Sequence, residues 1–316
     1  MEQGYGKNTE STRPATPGEQ IILPISELPA EENVDFLETS FFRVDKSRKL
    51  PTPSEVRSKV VHNRSQTRRP DPVWFAEDKL VVKWGEYVTI AEGQVYWMIQ
   101  NRLKEIPAPE IYGWRTEGNQ VFLYLECIIG LQLEEKYNEL SHEDKLEICG
   151  QIKMAKVALG RLRQEPDGKF LGSIGRQPLL DVICEDDNNL AGPFITIAAF
   201  HDWLNNRVLR RFPDPEAMIP LRKILPDNAS IVFSHGDLHP KNILLSPTKL
   251  SKIVAIVDWH QSGWYPSYWE RCKAEWGNLG DWASKYLPEA LDSSYSEHSD
   301  ELYNAFCMYT QLLGVL

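Results

Sequence analysis

Between two apolar runs, Ile231-Val-Phe233 and Ile243-Leu-Leu245, the chain reads His235-Gly-Asp-Leu-His-Pro-Lys-Asn242. Sixteen residues beyond Asn242 a third apolar run ends in Asp258. Nothing else in the sequence restricts the fold as strongly. The runs are short and β-branched, as buried strands are. The stretch between the first two carries Gly, Pro and charged residues and continues neither. Asp237 and Asn242 therefore belong to one loop between strands, and the end of a further strand delivers Asp258. Taken singly, an Asp or Asn in a loop is ordinarily a cap or turn residue. The ordered set Asp237, Asn242 and Asp258, bracketed by strands, asks for another reading.

The rest of the chain divides around residue 126. Val73-Trp-Phe75 and Leu80-Val-Val-Lys-Trp84, parted by polar Glu77-Asp-Lys79, predict a hairpin. A helix is expected over residues 90–103, with Ile90, Val95, Met98, Ile99 and Leu103 on its buried side and Gly93 as a weak point. Pro107 and Pro109 follow it. Residues 111–114 and 121–126 predict two more strands around a Gly118-Asn119 turn. Pro51-Thr-Pro-Ser54 predicts a helix over residues 55–61 capped by Ser54. Beyond Glu126 helices prevail. Ser141-His-Glu-Asp144 resembles a capping box opening a helix with Leu146, Cys149, Ile152, Ala155, Leu159 and Leu162 on one side. Further helices are expected over residues 195–210 and 301–313. The reading is a flexible extension over residues 1–34, in which residues 21–25 form an apolar patch able to dock; a strand-rich lobe over 35–126; and a helical lobe over 127–316.

Composition narrows the functional classes. Net charge is −10, which argues against a nucleic-acid binder with its basic face and is compatible with a cationic substrate. The five cysteines are odd in number and form no C-x-x-C pair, so neither a disulfide framework nor a zinc site is expected and a reducing compartment fits. Residues 1–20 lack the apolar region of a secretory signal, and no run approaches the roughly 18 apolar residues of a membrane span. A cytoplasmic protein without membrane or nucleic-acid partners is expected; the oligomeric state is open.

Phosphoryl transfer asks a protein for a carboxylate that orients the acceptor hydroxyl and for oxygen ligands to metal ions that neutralise the phosphates. Asp237 and Asn242, five apart, offer both on one loop, and Asp258 adds the second carboxylate; Mg²⁺ prefers such hard donors. Order and spacing match the catalytic-loop and metal-binding-Asp pattern of kinases. In detail, His235-Gly-Asp-Leu-His-Pro-Lys-Asn242 with Ile256-Val-Asp-Trp-His-Gln-Ser-Gly-Trp-Tyr-Pro-Ser-Tyr-Trp-Glu270 resembles the aminoglycoside phosphotransferase and choline kinase branch, most closely its fungal-type phosphotransferase enzymes, over residues 50–285. The resemblance implies an α+β, two-lobed protein-kinase-like fold: a small antiparallel N-lobe sheet with one key helix, and a larger, mainly helical C-lobe. It implies ATP and Mg²⁺ as cofactors and a small-molecule hydroxyl as acceptor. Asp237 matches the catalytic base, and Asn242 and Asp258 the metal ligands. Lys83, in Leu80-Val-Val-Lys83, matches the phosphate-binding lysine, with Glu92 on the next helix as its partner. Glu126 and Ile128 match the adenine-binding hinge by backbone position. His239 could touch the transferred phosphate or brace the loop, and His235 is expected to brace it.

Two departures stand out. Residues 64–77 contain no glycine, so no G-x-G-x-x-G covers the phosphates, and His260 stands where the family has Glu. The first leaves room for a nucleotide-binding pseudokinase or scaffold. A third class, an iron enzyme using His235 and Asp237 with His260 or His298, needs two His and one carboxylate. Trp259, Trp264, Trp269, Trp276 and Trp282 are expected in the core, cation–π binding being the alternative. Glu270, Glu275 and Glu185-Asp-Asp187 are candidates for substrate amines as against solvated charges.

Overall fold

The structure, a computed structural model, describes residues 18–60, 70–185, 190–278, 280–291 and 299–315. The chain opens with β1 (Ile21–Ile22), β2 (Val34–Asp35), α1 (Ser40–Val44) and α2 (Pro53–Ser58), then the hairpin β3 (Val73–Phe75) and β4 (Leu80–Gly85). Helix α3 (Ile90–Arg102) leads to β5 (Ile111–Glu117) and β6 (Gln120–Glu126). After β7 (Leu131–Gln132) and α4 (Leu133–Lys136) come α5 (His142–Leu159), β8 (Leu162–Arg163), α6 (Ile197–Arg211) and α7 (Pro215–Ile224). Strands β9 (Ile231–Ser234), β10 (Ile243–Leu245), β11 (Ile253–Ile256) and β12 (Gly263–Pro266) follow, then α8 (Trp269–Trp276), α9 (Leu287–Leu291) and α10 (Ser299–Leu313). Among the described residues, five strands make an antiparallel sheet in the order β2-β5-β6-β4-β3. The later strands pair as β11-β10-β7 and β12-β9.

Alternation along the sheet decides which side chains reach the cleft. Leu80, Val82 and Trp84 of β4 and Phe122 and Tyr124 of β6 point to one face, where they pack with Phe41, Phe42 and Val56. Leu123 and Leu125 of β6 point to the other, against Val95, Met98 and Ile99 of α3. Each such side chain contributes about 1.5–3 kcal/mol by burial. Since side chains alternate in a strand, Lys83, between Val82 and Trp84, must share the α3 face. Gly93 is what lets α3 lie close: a Cβ there would meet Trp114 Cε3 at 2.8 Å. The weak point in the helix pattern is thus a packing contact.

Local chemistry corrects two boundaries. Helix α2 starts at Pro53 and is capped by Thr52 rather than Ser54. Thr52 Oγ1 accepts from the Glu55 N–H, and Glu55 Oε2 accepts from the Thr52 N–H at 2.7 Å, with Pro53 at the first helical position. Helix α5 has the expected box, Ser141 with Asp144, but its buried stripe is Ile148, Cys149, Ile152, Ala155 and Leu159. Leu146 is exposed, and Leu162 has left the helix for β8.

Residues 18–34, expected as part of a flexible extension, are held. Strand β1 pairs in parallel with β8, and β2 pairs with β5 of the sheet. Between them Leu23 and Leu28 are buried, Gln94 Nε2 donates to the Pro29 carbonyl at 2.8 Å, and Trp114 Nε1 donates to the Glu31 carbonyl at 2.8 Å. This strap crosses from the helical part to the sheet. Residues 1–17 lie outside the described residues.

Candidate active site

Lys83 reaches across the cleft. Its Nζ donates to Glu92 Oε1 at 2.8 Å and to Asp258 Oδ1 at 2.6 Å, joining β4, the first turn of α3 and the residue after Val257. Glu92 is buried, while the Asp258 side chain is 44% exposed. Burial alone would lower the Lys83 pKa, but the two carboxylates outweigh it and raise it. Burial pushes the Asp258 carboxyl up, yet Lys83, with His260 and His235, holds it below the usual range. Both groups are therefore charged at neutral pH. Asp258 adopts a left-handed backbone at φ 61°, strained for a residue with a Cβ and of the kind that persists where surroundings enforce it. Its N–H donates to Tyr96 Oη at 3.2 Å. Tyr96 lies one turn after Glu92 on the same face of α3, so one helix positions both the Lys83 partner and the Asp258 backbone.

The loop after β9 is fixed by its own side chains. Asn242 Nδ2 donates to the Asp237 carbonyl at 2.8 Å and to Asp237 Oδ2 at 3.1 Å. That leaves Oδ1 as the Asn242 atom for a cation. Both nitrogens of His235 are committed: Nδ1 accepts from the Asp237 N–H at 3.1 Å, and Nε2 donates to the Val257 carbonyl at 3.1 Å. His235 therefore braces Asp237 against the Asp258 strand, and the iron reading loses its first ligand; His298 lies outside the described residues. His239 Nδ1 accepts from the Lys241 N–H at 3.2 Å and stands 3.8 Å from Glu134 Oε1. Burial lowers its pKa. Among the described residues no cluster of three or more His, Cys, Asp or Glu side chains is arranged around a common point for a metal ion. Asp258 Oδ2 and Asn242 Oδ1 are hard donors of the kind Mg²⁺ takes when phosphates and waters complete its shell.

Beneath the loop lies a polar network that sequence reasoning missed. Glu270, a candidate either for a substrate amine or for a solvated charge, is buried. Its carboxylate accepts from the backbone N–H groups of His235, at 2.5 Å, and Gly236, at 3.2 Å. Burial raises its pKa. Lys273, one turn on in α8, is 4% exposed. Its Nζ donates to Asp181 Oδ1 at 2.7 Å, Gln261 Oε1 at 2.8 Å and the Gly236 carbonyl at 2.9 Å. Asp181, fully buried, also accepts from Trp269 Nε1 at 2.9 Å and the Ile183 N–H at 2.8 Å. Gln261 Oε1 further accepts from the Val182 N–H at 2.9 Å. The sole sequence signal was the spacing of Glu270 and Lys273, which places both on one face of a helix. A cavity of about 230 Å³, lined by Ile152, Ala155, Phe233, Trp259 and Leu291, touches the loop from behind at His235 and Glu270; it is separate from the cleft spanned by Lys83.

The other expected residues are placed less decisively. Glu126 donates its N–H to the Glu110 carbonyl at 2.8 Å, which removes it as a backbone donor; Ile128 follows, half-buried. Trp259, Trp264, Trp269 and Trp282 are core residues, and Trp276 is half-buried. Glu275 sits 3.8 Å from Arg271 Nε. Glu185 is exposed, and Asp186 and Asp187 lie outside the described residues. His260 Nδ1 lies 3.9 Å from Glu92 Oε2, beside the carboxylate that pairs with Lys83. Where a glycine-rich flap was absent from the sequence, the β3–β4 connection is the tight turn Ala76–Asp78, tied down by Arg48 on Asp78.

Comparison with known proteins agrees with this fold. The phosphotransferase enzyme family (APH) matches residues 90–270. Among solved structures, the streptomycin–ATP–APH(2″)-IIa ternary complex is similar with a TM-score of 0.50 at 12% identity, over 84% of this chain and 90% of that one. The gentamicin–APH(2″)-IIa complex gives 0.51 at 10% identity, over 84% and 89%. At such identity the likeness shows the fold, a two-lobed kinase-like one. No curated protein sequence matches the chain significantly.

Proposed function

The chain belongs to the phosphotransferase enzyme family, and on that premise we propose that it transfers the γ-phosphoryl group of ATP to a hydroxyl of a small molecule. The observation that carries the reading is the Lys83 bridge: one ammonium joins Glu92 of α3 to Asp258 across the cleft that faces the Asp237–Asn242 loop. Such an ammonium, kept charged by two carboxylates, suits the nucleotide phosphates. Glu92 would keep it in place were Asp258 to hold a metal. Asp258 and Asn242 would hold Mg²⁺, which neutralises the phosphate oxygens when bound. The backbone at Ile128, and the carbonyl of Glu126, would contact adenine. Asp237, fixed by Asn242 and His235, orients the acceptor hydroxyl and takes its proton as the new O–P bond forms and the β–γ bridge bond breaks, leaving ADP.

A small acceptor is favoured over a protein. Asp258 is followed by a single turn, Trp259–Gln261, and then β12, already paired with β9 from Gly263. That leaves no length for a peptide-binding segment. The net charge of −10 suits a cationic acceptor.

The test is a screen of hydroxylated small molecules, aminoglycosides and amino alcohols included, with Mg·ATP, read by mass spectrometry for a phosphorylated product. Asp237→Asn should lower turnover by about 10²–10⁴-fold without moving the thermal midpoint. Unchanged turnover would remove Asp237 from the chemistry. Thermal stabilisation by Mg·ATP with no product from any acceptor would point to a nucleotide-binding scaffold.

A further inference from the structure

We propose that Lys273 is a positioning residue for the transfer reaction: its ammonium sets the direction of the Gly236–Asp237 peptide and couples it to the segment Val182–Cys184. The inference rests on the reading of Asp237 as the base.

A buried lysine is unfavourable unless its charge and its three donors are all satisfied. Here all three are, by Asp181 Oδ1, Gln261 Oε1 and the Gly236 carbonyl, at 2.7, 2.8 and 2.9 Å. Charge neutralisation by Asp181 accounts for one partner. The other two lie on the two loops that build the site. Gln261 follows Asp258 by three residues, and Gly236 immediately precedes Asp237.

The peptide geometry shows what Lys273 holds. The Gly236 carbonyl and the Asp237 N–H belong to one planar unit. Lys273 pulls on its oxygen at 2.9 Å while His235 Nδ1 accepts from its nitrogen at 3.1 Å. Opposed bonds on the two ends fix the plane's rotation. The plane leads directly into the Asp237 Cα, so its rotation sets where the carboxylate points. Glu270 fixes the preceding N–H groups, of His235 and Gly236, but reaches neither end of this unit. Without Lys273 the plane is held at one end only.

The coupling runs through Asp181. Its carboxylate also accepts from the Ile183 N–H and from Trp269 Nε1, and Gln261 Oε1 accepts from the Val182 N–H. The short helical turn Val182–Cys184, which leads to exposed Glu185, is thereby tied to the same ammonium as the catalytic loop. A shift of that turn is transmitted to the Asp237 peptide through two hydrogen bonds.

Removing Lys273 alone would strand the buried Asp181 charge and endanger the fold. The test therefore uses Lys273→Met/Asp181→Leu, which removes both charges together, and Lys273→Gln/Asp181→Asn, which keeps a neutral donor near the Gly236 carbonyl. Each is compared with the parent and with Asp237→Asn by thermal midpoint, kcat, and KM for Mg·ATP. For the Met/Leu variant we expect a folded protein with a lowered thermal midpoint, because Trp269 Nε1 and the Ile183 N–H lose their acceptor, an about 100-fold loss of kcat, the scale of a 1 Å misplacement, and a KM for Mg·ATP within about threefold of the parent, since Lys83 and Asp258 are untouched. The Gln/Asn variant should recover at least about tenfold of that loss. Parent-like kcat in a folded Met/Leu variant overturns the proposal, as does a loss expressed only in KM. If the Met/Leu variant does not fold, the Gln/Asn variant decides: a folded protein with kcat about tenfold below the parent at an unchanged KM for Mg·ATP supports the positioning role, and a parent-like kcat or a loss expressed only in KM refutes it. If Asp237→Asn itself turns over normally, the base reading fails, an outcome separate from any of these.

Discussion

Gly236→Ala tests whether the catalytic loop is locked against its neighbour. Gly236 has φ +77°, and a Cβ there would stand 2.4 Å from the Gln261 carbonyl oxygen and 3.0 Å from its carbon. Two costs add. A left-handed backbone with a Cβ costs about 1–2 kcal/mol, and overpacking against a backbone atom that cannot swing aside costs about 1–3 kcal/mol. The expected loss is about 2–5 kcal/mol, a large part of a typical net stability of about 5–15 kcal/mol. Gly118→Ala is the control, because Gly118 has φ +63° with nothing within 4 Å of the added Cβ; it should show only the backbone cost. Urea titration at constant m-value measures the difference. Relief of the overlap must move the loop or Gln261 by about half an ångström or more, and turnover should fall at least about tenfold. Equal destabilisation of the two variants, with parent-like kcat for Gly236→Ala, would refute the close packing of the two loops.

Lys83→Met should raise KM for Mg·ATP and lower kcat together, by at least about 100-fold in kcat/KM, because on the proposed reading the ammonium would hold the phosphates in the ground state and more tightly in the transition state; steady-state kinetics at saturating acceptor would show it. Acid stability should respond to His201, buried against Asp227 Oδ1 and Tyr268 Oη, each at 2.7 Å. Burial holds its pKa down at about 4 against an ordinary 6.5, so between these values the unfolded chain binds a proton that the native chain refuses. This contribution is full above pH 6.5 and is lost as the pH falls through about 4, about 3 kcal/mol in all; urea titrations across this range should show the fall, and His201→Phe should flatten it.

The centre of the site was legible because its chemistry is carried by local patterns. Lys83 could be found from its place in an apolar strand, and Glu92 from the turn of helix that follows; the pair then forms at 2.8 Å. Asp237 and Asn242 are five residues apart and bond directly. What could not be read depends on distance along the chain. Asp181 and Lys273 are 92 residues apart, and a lysine reads as a solvated charge until its partners are known. Glu270 was unreadable for the same reason: an acid near a motif offers a substrate contact or a solvated charge, and only the fold puts backbone N–H groups above it. His260 beside Glu92 is another long-range meeting. The helix errors have a different source. At α2, a capping box with Pro at the first helical position outweighs a lone serine, and at α5 Gly160 ends the helix before Leu162 can join its stripe.

The strap of residues 21–35 bears on how the molecule can move. The sheet and the helical part are joined by the chain at Glu126 and again by β1 on β8 and β2 on β5. A body attached at one point can swing and twist in every direction; attached at two, it can turn only about the line between them. Any rotation of the sheet against the helical part would therefore have to turn about the line between the two joins, like a door on two hinges.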